Sequence, residues 1–243
     1  MDGAELARGA VVVAFDGSPA AGQAVSWAAA AAASRGVDLV VVTTTWWPAA
    51  LDPAAGLVRL VPESCVDEVV ARATAGRPSL NVFGHVADGA SELLVCADEL
   101  DAALIVVAAG PGVPVRGLVR AAGRPLAFAG GPREPEPDGP VVVEIDSRQV
   151  RPAELALAFG LARSAGVGLH VLHTTSARRL IAPRPPAADL AAFAVAELGD
   201  WLVSYPDVRV TYELTSAART RTLTRRAHTA PLLLVGARGR TRR

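Results

Sequence analysis

The 243-residue sequence contains no lysine, so all 24 of its strong cations are arginines. With its many alanines, that usage points to a GC-rich bacterial genome. The arginines are matched by 24 acidic residues, giving a formal net charge of +0. No global basic field is left to recruit nucleic acid, and no nucleic-acid partner is expected. Cysteine is scarce as well. Cys65 and Cys96 fit no CxxC or zinc-type spacing, which argues against a metal module or a disulfide scaffold. They are expected to be reduced, packed thiols, as in a cytoplasmic protein, rather than a disulfide. Histidine is limited to His85, His170, His173 and His228. None is placed in sequence to serve a nucleophile as base, and Ser18 reads as a helix cap. His170 and His173, three apart in a strand, point to opposite faces, which argues against a shared metal. Long apolar runs are missing too. The stretch from Ala24 to Ala33 is far short of the ~20 residues needed to cross a bilayer. The opening "MDGAELARGA" is acidic and short, unlike a signal peptide. No membrane and a cytoplasmic location are the expectations.

What is present is apolar and repeated. Apolar residues make up 51% of the chain and mean hydropathy is +0.32, enough for a substantial core. The length suits one large domain or two small ones. "VVVAFDGSPAAGQAVSWAAAAAASRGVDLVVVTTT" (Val11 to Thr45) aligns without a gap to "VVVEIDSRQVRPAELALAFGLARSAGVGLHVLHTT" (Val141 to Thr175). Asp16/Asp146, Gly36/Gly166 and Val37/Val167 are among the shared positions. "AALIVVAAGP" from Ala102 likewise pairs with "APLLLVGARG" from Ala230. The spaced prolines and charges of "GGPREPEPDGP" (Gly130 to Pro140) read as an extended connector. The expected organisation is a domain over 1–132, a linker over 133–140 and a second domain over 141–243.

Within each copy, short apolar runs alternate with helical stretches. Val11–Phe15 reads as a strand buried on both faces. Ser18 is placed to cap a helix that Pro19 opens and Gly36 stops. Strands follow at Leu39–Thr44, Asn81–Val86, Leu104–Ala108 and Pro125–Ala129, with helices at Glu63–Ala75, Ala90–Glu99 and Val115–Ala122. Copy two predicts Val141–Ile145, Ala153–Ser164, Leu169–His173, Ala188–Val203, Val208–Leu214, Thr220–Ala227 and Leu232–Val235, without a last helix and strand. Such alternation makes an α/β fold: two tandem doubly wound, Rossmann-like parallel sheets.

"VVVAFDGSPAAGQAVSWA", then "RGVDLVVV", and finally "APLLLVGARGR" resemble the universal stress protein family in its tandem form, over nearly the whole chain. The resemblance implies strand order 3-2-1-4-5 in each domain and pairing of domains through their fifth strands. It also implies a split between members that bind ATP and members that do not. The nucleotide contacts it suggests are Asp16, Val41, Asp146, Gly236 and Gly239. The phosphate loop of such a site follows strand four. Its glycines let phosphate oxygens reach main-chain N–H groups, and the next helix adds its positive end. The family spacing runs Gly, two residues, Gly, nine residues, then Gly-Ser or Gly-Thr.

Neither copy meets this pattern. In copy one Ala108 and Pro111 stand where the first two glycines belong, and Gly112-Val113 where Gly-Ser/Thr belongs. That loop is shorter by about nine residues, and its prolines carry no N–H. In copy two Gly236 and Gly239 match, and the remainder of the motif would fall past Arg243. Asp16 and Asp146 then read as turn formers at strand ends, with ligand contact the alternative. Trp46-Trp47 reads as a cover on the sheet's end, with stacking on a ligand base the alternative. Arg221 and Arg225 fall four apart on a solvated helix face, and the tail "RGRTRR" extends beyond; an anion patch is the alternative. The expectation is a non-enzymatic stress or regulatory protein that binds no ATP or other cofactor and acts through protein contacts. The alternatives are an ATP- or AMP-binding regulator with a degenerate pocket and an enzyme of adenosine-α-hydrolase type. An open edge is expected on strand four of copy two. A homodimer is expected through Pro125 to Ala129.

Overall fold

Apolar runs of four to six residues become strands here because helices cover both of their faces. In the computed structural model, residues 8–44, 63–87, 90–110, 113–130, 139–146, 152–174, 196, 198–215 and 218–236 are described. The first half forms β1 (Val11–Phe15), α1 (Pro19–Arg35), β2 (Leu39–Thr44), α2 (Glu63–Thr74) and β3 (Val82–Ala87). It continues with α3 (Ala90–Glu99), β4 (Leu104–Ala108), α4 (Val115–Ala121) and β5 (Leu126–Ala129). The second half forms β6 (Val141–Asp146), α5 (Pro152–Ala165), β7 (Leu169–Thr174) and α6 (198–204). It closes with β8 (Val210–Thr215), α7 (Arg219–Thr229) and β9 (Leu232–Val235).

The ends of α1 follow local chemistry. Ser18 Oγ accepts the Ala21 N–H at 3.1 Å, and Pro19 follows at a position whose N–H would be unpaired anyway. Gly36 ends the helix at φ +63°, and its N–H turns back to the Ala32 and Ala33 carbonyls. A side chain is strained in that left-handed region, so glycine suits the stop.

All the strands join one nine-stranded sheet in the order β3-β2-β1-β4-β5-β9-β6-β7-β8. Every pairing is parallel except β5 with β9. Alternate strand residues feed two core layers. Val11, Val13 and Phe15 pack with α1, α2 and α5. Val12 and Ala14 pack with α3, α4 and α7. Both layers run across the two halves of the chain.

The antiparallel seam corrects two expectations. Strand four of copy two, β9, has no open edge: Leu126 faces Val235, Ala127 faces Leu234, Phe128 faces Leu233 and Ala129 faces Leu232. β5 therefore has β4 on one side and β9 on the other. The homodimer through Pro125 to Ala129 is thereby overturned, because the edge it needs is already hydrogen-bonded within the chain. All eight seam residues are buried, and Phe128 and Leu233 alone remove enough surface to contribute about 1.5–3 kcal/mol each.

Candidate functional site

In open α/β sheets a ligand enters at the carboxyl ends of the strands, where the strand order reverses. In copy one that place is the end of β1 beside the end of β4. Asp16 follows β1, and its Oδ1 accepts the Ser18 N–H at 2.9 Å. This is the expected Asx turn, with Gly17 inside it at φ +77°. Phe15, Gly17 and Ser18 line a cavity of about 580 Å³ between α1 and α2. Arg72 at its wall is paired with Glu68 at 2.9 Å. Val41 is not at the crevice: its side chain is fully buried in the layer under α1. It sits mid-strand, opposite Val13 and Gly84.

Three main-chain donors between β4 and α4 are engaged. The Ala109 N–H goes to the Ala129 carbonyl at 2.8 Å, the Val113 N–H to Gly110 at 3.2 Å, and the Val115 N–H to Val113 at 2.8 Å. Pro114, which offers no N–H, precedes a helix of only 7 residues with no side-chain cap. A phosphate needs main-chain N–H groups that point outward and lack partners, and these three already have partners. Pro111 and Gly112 lie outside the described residues.

Copy two places Gly236 directly after β9, at the corresponding strand end. There the carboxylate of Glu154, from the first turn of α5, lies against the glycine. A Cβ on Gly236 would stand 2.8 Å from the carboxyl carbon. The absence of a side chain at residue 236 is what leaves room for that carboxylate. Asp146 is the last residue of β6, in register with Thr174. Gly239, Trp46, Trp47 and the arginine-rich tail lie outside the described residues.

The sequence reading missed an ionic cluster on the α7 face of copy two. Glu144 sits mid-strand in β6 and is 3% exposed, where the repeat has Ala14 in copy one. Arg219, at the start of α7, embraces it with Nε on Oε1 and Nη2 on Oε2, the latter at 2.6 Å. Thr174 Oγ1 donates to Glu144 Oε1 at 2.8 Å. Nearby, Glu213 Oε2 accepts Arg226 Nη2 at 2.5 Å and lies 3.2 Å from His170 Nε2. His170 Nδ1 lies 2.8 Å from Thr211 Oγ1. Burial lowers the His170 pKa below its usual value, the Arg226 charge lowers it further, and Glu213 opposes both. Burial is the largest of these effects, so the net shift favours the uncharged imidazole beside the Glu213 carboxylate. The signal was available: one glutamate inside the apolar "VVVEID". Arg221 and Arg225 are exposed on the outer side of α7, as the four-residue spacing predicts.

His173 is separated from His170 as expected. His173 contacts the Tyr212 hydroxyl, on the sheet face opposite His170. Among the described residues no group of three His, Cys, Asp or Glu side chains is arranged to hold a metal. Cys96 is a free thiol whose pKa is raised by burial and then by Glu99 and Glu92. No helix among the described residues is long and apolar enough to cross a membrane.

Two crevice-bearing α/β halves joined in one sheet define the class: a tandem doubly wound protein of the Rossmann-like type. Residues 8–120 match the universal stress protein family. Universal stress protein Rv2623 of Mycobacterium tuberculosis is 30% identical, over 95% of this chain and 86% of that protein. Rv2005c of the same organism is 29% identical, over 95% and 87%. The chain belongs to the universal stress protein family. Among solved structures, PA1789 of Pseudomonas aeruginosa superposes with TM-score 0.54 at 11% identity, covering 95% of this chain and 92% of that one. A universal stress protein of Archaeoglobus fulgidus gives 0.50 at 14%, covering 95% and 97%. At those identities the likeness is one of fold.

Proposed function

We propose that this chain is a non-enzymatic stress-response regulator of the cytoplasm that acts through protein contacts and does not bind ATP. The observation that carries the reading is the loop after β4, whose Ala109, Val113 and Val115 N–H groups are bonded to the protein's own carbonyls. Glu154 against Gly236 supports the same reading for copy two. Among the described residues the hydroxyl beside His170 is that of Thr211, and the neighbouring Arg226 guanidinium is already paired with Glu213, which supports a structural rather than a catalytic role for this cluster.

A second reading, an ATP- or AMP-binding regulator, draws on Asp16. Its carboxylate is half-buried at the strand end, near the cavity of about 580 Å³. Thermal unfolding with and without magnesium and nucleotide separates the two. A ligand at 100 times its Kd stabilises by about 2.7 kcal/mol, which displaces the midpoint by several degrees. We expect no displacement with millimolar ATP or AMP. A rise that Asp16→Ala abolishes would replace the first reading with the second.

A further inference from the structure

A groove of about 750 Å³ runs along α1 to the carboxyl end of α5. Its volume falls inside the ~300–1,000 Å³ typical of small-molecule sites, and such sites favour the junction between domains. None of Asp16, Val41 or Gly236 lines it, so it stands whether or not the strand-end crevice takes a nucleotide. The groove opens because α1 presents alanines there: Ala30 and Ala33 leave space beside the half-buried indole of Trp27.

Its polar groups are few and specific. Among the described residues Arg77 is the only charged side chain on its wall. The Arg77 main chain is pinned after α2, with its N–H on the Thr74 carbonyl at 2.8 Å and its carbonyl accepting Leu80 N–H at 3.0 Å. One guanidinium nitrogen donates to the Ala73 carbonyl at 3.4 Å. No described carboxylate pairs with this arginine, so the rest of its fork is available to an anion. The serines differ. Ser34 donates its hydroxyl proton to the Ala31 carbonyl at 2.9 Å, and Ser164 donates to Leu161 at 3.1 Å. Both therefore offer only acceptor lone pairs to a ligand.

We infer that this groove binds a planar aromatic carboxylate that also carries a hydroxyl or ring N–H. The ring lies on the Trp27 and alanine wall, the carboxylate meets Arg77, and the ligand's donor meets a serine oxygen. Aromatic stacking and a charge-assisted fork supply affinity and orientation together.

Titration of the full chain with fluorescent 6-hydroxy-2-naphthoate tests this. One saturable site is expected. Arg77→Gln should weaken it by about tenfold or more, as loss of a charged hydrogen bond does. Ala33→Phe, at an exposed position, should abolish it by filling the groove. The neutral analogue 2-naphthol should bind about tenfold more weakly, and 2-naphthoate, which lacks the donor, should bind more weakly than the probe. Circular dichroism and the urea midpoint of Arg77→Gln should match the parent, which keeps that arm interpretable if Ala33→Phe fails to fold. Absence of saturable binding, or binding unmoved by Arg77→Gln, would overturn the inference. So would sedimentation showing a dimer that Ala33→Phe dissociates, because the groove would then belong to a second copy.

Discussion

Glu144 marks a sharp physical difference between the two repeats. Copy one has Ala14 at that place in the strand, and copy two has a buried carboxylate held by Arg219 and Thr174. Removing one partner of such a pair leaves a charge stranded, whereas replacing both with apolar groups restores a dry core. Glu144→Ala should therefore lower urea-measured stability by about 3–5 kcal/mol. Glu144→Leu with Arg219→Leu should fall within about 1 kcal/mol of the parent or exceed it. A loss below about 1 kcal/mol for the single change would show that the ion pair does not anchor α7. His170 supplies a pH dependence. Its folded pKa lies below the unfolded value near 6.5, so the unfolded chain binds more protons as pH falls through that range. Stability is then fully present above pH 6.5 and declines on acidification. His170→Gln should flatten that decline between about pH 7 and 5; an unchanged slope would mean that the imidazole is not held neutral. Asp16 and Ser18 were legible as a turn and a cap because their chemistry is local. Glu144 with Arg219 was not, because 75 residues separate the partners.

The elements followed the sequence closely where hydrophobic period and end signals agreed. α3, β4 and β9 fall on their expected bounds, and α1 runs from its proline to the residue before its glycine. The strand ends drift by a residue or two, as at β3 and β8, because apolar period does not mark the last hydrogen bond. The β5–β9 pairing was hidden for a different reason. Period shows that a strand is buried, not which strand buries it, and the family pattern of paired fifth strands pointed elsewhere. Phe128, fully buried in β5, reports on that seam. Phe128→Ala should cost about 3–5 kcal/mol and should shift Trp201 fluorescence in the second half in step with the far-ultraviolet signal. Loss of the first half alone, with copy two unaffected, would contradict one continuous sheet.

At the scale of the whole molecule, one sheet carries two strand-end crevices, and among the described residues three main-chain donors of the first loop are already bonded within the protein. In copy one this was legible as missing glycines and added prolines, and the structure adds that the Ala109, Val113 and Val115 N–H groups are bonded internally. In copy two the glycine at 236 is present, and only the fold reveals that Glu154 lies against it, since α5 begins far from β9 in the sequence. Family membership alone does not decide the matter, and the proposal that no ATP binds rests on the two loops. Calorimetric titration of the full chain with magnesium–ATP tests this most directly. Heats of dilution alone, up to millimolar nucleotide, are the predicted result. A saturable isotherm with micromolar Kd, abolished by Asp16→Ala, would contradict the account.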